Sequence, residues 1–349
     1  MGEDQGWTYA KAGVDIDKVS ILQRHAFRVI EDLFKKLGVP VHGLRGRFTT
    51  FVEANGLRIA MHVDGVGTKV LVAQLVNSYW QVGQDVVAMN VNDLIAGGAD
   101  PFAIVDYLAM EKPDEEVFKG VMEGLSRACE EAKVILMGGE TAIMPDIIKG
   151  AVPGKGFDLV ATGLGLVKWD TETGSPGDVL VGFESNGIHS NGLSLARKVL
   201  LSKYSVHDPF PYDPERTIGE ELLRPTRIYV NLCRELWRRG IVKNFAHITG
   251  GAFRKIKRVL REDSGVLIDV PEPPAIFKLI KEEGHIAWEE MYKTFNMGVG
   301  MVAVTISDYV EEIISVAKKF GINAFLLGKV VSEEGVRIRI PRVGEVRIQ

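Results

Sequence analysis

The sequence predicts a two-domain protein of the α/β to α+β class, and three observations carry that expectation. Its 349 residues exceed what one typical core organises. Apolar runs with strand and helix periods alternate along the whole chain. A polar stretch, KWDTETGSPGD at about 168–177, separates two such sets, so domains are expected over 1–167 and 168–349.

In chain order, Asp17 is placed to cap a helix over 17–37, which Gly38-Val39-Pro40 stops. The β-rich RFTTFVEA and the turn Asn55-Gly56 lead into a strand that ends at Asp64. Helical patterns follow at 68–77 and 83–97, then a strand at 102–109, a helix at 114–132 and strands at 133–137 and 158–167. Between the last two, MPDIIKGAVPGKGF lacks any period and reads as a mobile loop suited to a lid. The second set predicts strands at 178–184, 265–269 and 299–306 with further strands at the end. Its helices are expected at 191–203, 226–240, 252–261, 274–283 and 308–320, with a proline-rich loop at 208–214. The order of elements does not require an all-parallel sheet.

Composition narrows the function classes. With 42 basic and 46 acidic residues the net charge is -4, so no global field draws the chain to nucleic acid or an anionic membrane. Cys129 and Cys233 lack metal-site spacing, no apolar run reaches about 20 residues, and MGEDQGWTYA is not a signal peptide. A cytoplasmic protein is expected.

The densest chemical signal is LRIAMHVDGVGTK at 57–69. Asp64 closes the strand, Gly65 and Gly67 let backbone approach a ligand, and Thr68 and Lys69 open the next helix. A carboxylate for Mg2+, amides for an anion and a lysine charge suit a metal–phosphate site. A plain strand-to-helix turn fits the hexapeptide equally, and the glycine spacing is not that of a Walker A loop. Five further segments repeat the logic. Asp93 lies in the apolar run VAMNVNDLIAGGA, where a buried acid needs a partner. Glu140 follows Gly138 and Gly139 after a strand. SNGIHSNG places His189, Ser190 and Asn191 at a helix start, where Ser190 also suits capping. HITGGAF offers His247, Thr249, Gly250 and Gly251, and TFNMGVGM offers Asn296 beside a strand entry.

In order and spacing, AGVDID, DGVGTK, VNDL, GGETAIMP, HSNG, PTRIYV, HITGG and MYKTFNMGVGM resemble the phosphoribosylformylglycinamidine cyclo-ligase family over nearly the whole chain. The resemblance implies a PurM-like fold: an amino-terminal ATP-binding domain whose strands pair across a homodimer, then a carboxy-terminal α+β domain. It implies ATP-dependent closure of formylglycinamidine ribonucleotide to 5-aminoimidazole ribonucleotide through an iminophosphate-type intermediate, with Mg2+ and room for a monovalent cation such as K+. Position by position, Asp64, Asp93 and Glu140 match metal-organising acids. Lys69, His189 and Asp64 match catalytic positions. Asp15, Gly65, Gly67, Thr68, Lys69, Gly138 and Gly139 match nucleotide-binding ones. Ser190, Asn191, His247, Thr249, Gly250, Gly251 and Asn296 match substrate-binding ones. Replacing Asp64 or Lys69 is expected to end turnover and spare the fold. One departure stands out: HGLRGRFTTF at 42–51 places Arg45 and Arg47 where many relatives carry a glycine-rich loop. Among neighbouring families, selenophosphate synthetase would need a reactive cysteine near the amino terminus, and the earliest here is Cys129. A nucleotide-binding scaffold without turnover would be expected to have lost an acid or Lys69.

Overall fold

The computed structural model describes residues 6–40 and 48–348, so Arg45 and Arg47 lie outside the described residues. The first half runs α1 (Ile16–Leu37), β1 (Thr50–Ala54), β2 (Leu57–Gly65), α2 (Lys69–Val76), α3 (Trp80–Ala96), β3 (Ala99–Met110), α4 (Glu115–Ala132), β4 (Ile135–Ile143) and β5 (Phe157–Val167). Its strands form one sheet in the order β1-β2-β5-β3-β4, antiparallel except for the parallel β3–β4 pair. α3 packs against β2, β5 and α4, covering one face. That helix is buried almost throughout, and its apolar composition follows.

The second half runs β6 (Val179–Glu184), α5 (Leu193–Leu200), a hairpin of β7 (Pro209–Phe210) and β8 (Asp213–Thr217), α6 (Ile218–Leu222), α7 (Val230–Arg239) and β9 (Asn244–His247). A 3-10 helix (Ala252–Val259) follows, then β10 (Gly265–Asp269), α8 (Ala275–Gly284), α9 (Trp288–Thr294), β11 (Val299–Thr305), α10 (Val310–Lys319), β12 (Ala324–Val331), β13 (Gly335–Ile340) and β14 (Gly344–Ile348). Seven strands make the second sheet, ordered β14-β13-β10-β12-β6-β11-β9, with β10 and β13 parallel. β9 brings this sheet against α3, which therefore serves both halves.

Local chemistry sets the ends of these elements. Asp15 caps α1 by accepting from the Lys18 amide at 3.1 Å, and Asp114 caps α4 by accepting from Val117 at 3.0 Å. α1 buries none of its residues, leaving Ile21, Leu22, Val29 and Leu33 exposed.

Several expectations are corrected. The strand expected at 133–137 runs on through Gly138 and Gly139 to Ile143, because Gly138 adopts a φ of 138° beside a register shift and lets pairing continue. The helix expected at 252–261 is 3-10, and β9, α9 and the β7–β8 hairpin were not foreseen. The segment expected to be mobile is pinned: Gln74 Oε1 accepts from the Ala151 amide at 2.7 Å, and Glu111 Oε2 accepts from Gly154 at 3.0 Å.

Candidate active site

Alternation along β2 places Ala60, His62 and Asp64 on the face toward α3, with Met61 and Val63 on the other. Asp64 ends the strand, and its Oδ1 accepts from the Gly65 amide at 2.8 Å. Val66 packs into the core, and Gly67 turns the chain at a φ of 67°, a left-handed conformation that favours glycine. Thr68 then exchanges a hydrogen bond with Ser194 at 2.9 Å, linking the turn to the second half.

One turn of α3 supplies the partners. Asn90 donates to the Asp64 carbonyl at 3.3 Å and faces His62 Nδ1 at 3.2 Å. Asp93 lies between two imidazoles: Oδ2 is 3.1 Å from His62 Nε2, and Oδ1 is 2.6 Å from His247 Nδ1. His247 Nε2 faces the Asn92 amide nitrogen at 3.4 Å, which fixes the Nδ1–H tautomer and makes the ring a donor to Asp93. Burial alone would raise the Asp93 carboxyl, but the Lys255 ammonium and the two rings hold it well below the usual range. Burial and the Asp93 charge push Asp64 the other way, upward. Burial would lower the His62 ring, but the charge and hydrogen bond of Asp93, with the Asp64 charge and Asn90, together raise it. Asp93 is therefore the fixed anion of the group, and Asp64 is the acid that faces open space.

That space is a cavity of about 420 Å³ between the halves. Asp64 contributes one wall, and Asn191, Thr249, Gly250 and Gly251 contribute another. The start of α1 overhangs it through Ile16, Val19 and Gln23, held by an Asp17–Arg254 ion pair at 3.1 Å. Lys255 and Arg258 also face in, both lying over the Phe48 ring, at 5.7 and 5.5 Å.

Three candidates lie elsewhere. Lys69 is fully buried; its ammonium donates to Asp85 at 3.0 Å and to the Arg224 carbonyl at 2.6 Å. Asp85 also accepts from the Thr226 amide at 2.7 Å and its hydroxyl at 2.6 Å. From the sequence Lys69 is expected to neutralise phosphate charge; here its ammonium ties α2 and α3 to the second half. His189 is buried at a φ of 64°, its Nε2 accepting from the Asn186 amide at 3.0 Å. Burial, then the neighbouring His247 and Lys69, hold that ring well below the usual histidine range, so it is neutral at pH 7. It does not line the cavity, and Ser190 beside it bonds Thr226 at 3.2 Å.

Glu140 is the third. Register aligns Tyr107 with Glu140 and Asp106 with Gly139, while Asp64 and Asp106 both align with Ala161. Glu140 therefore projects from the opposite face to Asp64, and three strand spacings, about 14 Å, separate β2 from β4. Within one chain the structure does not bring Asp64, Asp93 and Glu140 together, and among the described residues no group of three such side chains is poised around a metal. Gly139 has its own reason: a Cβ there would stand 2.2 Å from Asp106 Oδ1. Asn296 is spent on the 185–189 turn, accepting from Ser185 at 2.9 Å and donating to the Gly187 and Ile188 carbonyls at 3.0 Å. Asp15 stays at its cap. Burial pushes the Cys129 thiol up to about 11, which removes a thiolate nucleophile at neutral pH.

His62, Asp85 and Lys255 escaped the sequence reading. His62 had a signal, because two residues before Asp64 on a strand is the same face. Asp85 carried the mark that singled out Asp93, an acid within an apolar run. Lys255 had none, because its position depends on the 3-10 winding.

Comparison with known proteins gives concordant matches. Residues 49–167 match the family described as AIR synthase related protein, N-terminal domain, and residues 175–341 match its C-terminal domain. The phosphoribosylformylglycinamidine cyclo-ligase of Thermococcus kodakarensis is 43% identical over 339 residues, covering 95% of this chain and 97% of that one. That of Methanothermobacter thermautotrophicus is 45% identical over 341 residues, covering 95% and 96%. Among solved structures, a HypE-HypF complex superposes with a TM-score of 0.64 at 18% identity, covering 92% of this chain and 99% of that one. Thermotoga maritima PurL complexed with FGAR gives 0.62 at 18%, covering 88% of this chain; the chain spans about half of that protein, 48%. At such identities these structures share the fold with this chain.

Proposed function

The chain belongs to the phosphoribosylformylglycinamidine cyclo-ligase family, and on that premise we propose that its cavity closes formylglycinamidine ribonucleotide to 5-aminoimidazole ribonucleotide at the expense of ATP. It is a ligase of purine biosynthesis. No described helix is long and apolar enough to cross a membrane, in keeping with a cytoplasmic enzyme. The observation that carries the reading is the meeting of Asp64, from the first half, with the Thr249–Gly251 turn, from the second, across one cavity. Solved structures sharing the fold are described as complexed with ATP and with FGAR, which supports a cleft here that takes ATP and a ribonucleotide.

The chemistry needs the formamide oxygen converted to a leaving group. ATP transfers its γ-phosphoryl to that oxygen and leaves as ADP; an amidine nitrogen then attacks the formyl carbon, and phosphate departs with the oxygen as the ring forms. Positioning and charge neutralisation dominate such a transfer. Asp64 suits Mg2+, which commonly takes one or two carboxylates and completes its shell with phosphates and water, and the ion would neutralise phosphate charge. Asp93 keeps His62 and His247 oriented beside it. The Thr249–Gly251 turn offers backbone to an anion. Asn191 supplies an amide to the same wall. Incubation with ATP, Mg2+ and formylglycinamidine ribonucleotide should yield ADP and aminoimidazole ribonucleotide in equal amounts. Failure to form the ring while ATP binds would sink the reading.

The same proposal includes a homodimer. The sheet face opposite α3 exposes Met61, Val63, Val105, Tyr107, Ile135 and Met137, a contiguous apolar surface of the kind that marks an interface. Glu140 rises from that face next to Tyr107. A second copy laid on it would bring Glu140 of each subunit into the interface. Sedimentation should therefore find a dimer.

A further inference from the structure

The cavity has walls of opposite sign. Asp64 stands on one, with Asp93 behind it, and Arg254, Lys255 and Arg258 stand on the other. A phosphate bridged to a cation on the acid side needs positive donors on its far side, so such a pairing of walls fits a phosphoryl group between them. The sequence assigns that duty to Lys69, whose ammonium is sealed on Asp85 and the Arg224 carbonyl. Lys255 faces the cavity in its place. Its ammonium donates to Thr249 Oγ1, its one hydrogen bond among the described residues, and a lysine carries three N–H donors, so two remain for a ligand. Burial lowers its pKa from the ordinary lysine value, and the charges of Asp93 and Asp64 oppose that through space. Phe48 beneath it, shared with Arg258, fixes its direction. Arg254 is tethered through a terminal nitrogen to Asp17, and its buried Nε has no partner, a second donor left over at this wall.

We propose that Lys255 is a catalytic residue of this cavity, its ammonium binding a phosphoryl oxygen of a phosphate-bearing substrate, with Arg258 reinforcing the charge. The phosphate belongs either to the nucleoside triphosphate or to the ribose of the ribonucleotide. The identity of the substrates rests on the cyclo-ligase reading; the anion site itself does not.

The test is calorimetric binding of two probes, ATP with Mg2+ and ribose 5-phosphate, to the full-length protein and to Lys255→Gln and Lys255→Arg. Loss of a charge-assisted hydrogen bond should weaken one probe about 10-fold or more in Lys255→Gln, and Lys255→Arg should recover most of it. A weakened ATP assigns the triphosphate, and a weakened ribose 5-phosphate assigns the ribonucleotide. In steady state the matching KM should rise while the thermal midpoint stays in place. Unchanged binding of both probes overturns the proposal. So does a lowered midpoint with weakened binding that arginine does not restore, since that is the mark of a structural lysine. Ring formation by the unaltered enzyme is scored separately, so loss of the cyclo-ligase reading leaves the binding result standing.

Discussion

Lys69 and Lys255 both sit beside aspartates between the two halves, yet one is sealed and the other open. The Asp85 carboxylate and the Arg224 carbonyl hold the Lys69 ammonium, the Thr226 hydroxyl and amide hold that carboxylate, and neither Lys69 nor Asp85 has any exposed surface. Around Lys255 the acids stand back, and the space between is a cavity. The first arrangement stores its charge in the fold; the second keeps it for a ligand. A motif lysine is therefore no guide to which of the two it serves until its partners are known.

The strongest way to break this contrast is to remove the sealed cation. Lys69→Met strands Asp85 in the interior, and losing one member of a buried pair costs about 3–5 kcal/mol. Urea unfolding should show a large fall in midpoint; an unchanged midpoint with lost turnover would return Lys69 to the active site. Next in size is the open side. Asp64→Asn should lower kcat by roughly 100-fold or more, the scale of one electrostatic contact to a transition state, and leave the unfolding midpoint within error. A parallel fall in stability would mean that Asp64 too is structural. Dimerisation tests whether the cavity, unlike the joint, needs a second chain. Val63→Glu puts a charge on the bare sheet face, so sedimentation should give monomers whose specific activity is lost while the Lys69 joint and circular dichroism are retained. Full activity in a monomer would leave Glu140 without a role at the site.

The smallest effect is electrostatic. His189 is held neutral, its ring lowered well below the ordinary value, so the unfolded chain takes up a proton that the folded one refuses. Its contribution is intact above the unfolded value of about 6.5 and declines as pH falls below it, by at most about 1.4 kcal/mol per pH unit. His62 is raised and works in the opposite sense, its stabilisation lost as pH rises through its folded value. Comparing His189→Asn with the unaltered protein at pH 7.5 and 5.5 isolates the first, since asparagine tolerates the left-handed backbone at this position. An identical pH slope in both would show that His189 is not the group responsible.

Much of this was legible in the chain because it is written locally. Alternation in LRIAMHVDG gave β2 and the placement of Asp64, helical spacing gave α3 and α4, and the resemblance gave both halves their class. What was lost depends on register and on distant contacts. That Glu140 leaves the opposite face from Asp64 follows from a bulge at Gly138 and from the order of five strands, neither of which a single segment displays. The fate of Lys69 was decided by Asp85 and Arg224, the latter 155 residues further on.

That separation bears on how the protein comes to be folded. Asp85 waits 141 residues for Thr226, and Asp93 waits 154 for His247. While the second half is still being synthesised, Asp85 has Lys69 and Asp93 has His62, but the Thr226 and His247 contacts that complete them are missing, so the first half cannot reach its final packing alone. Contacts of such long range also close late, after the loop entropy between them has been overcome. Two sheets thus do not make two independent folding units. A gene split between them would have to deliver both pieces together, with α3 as the element on which they must meet.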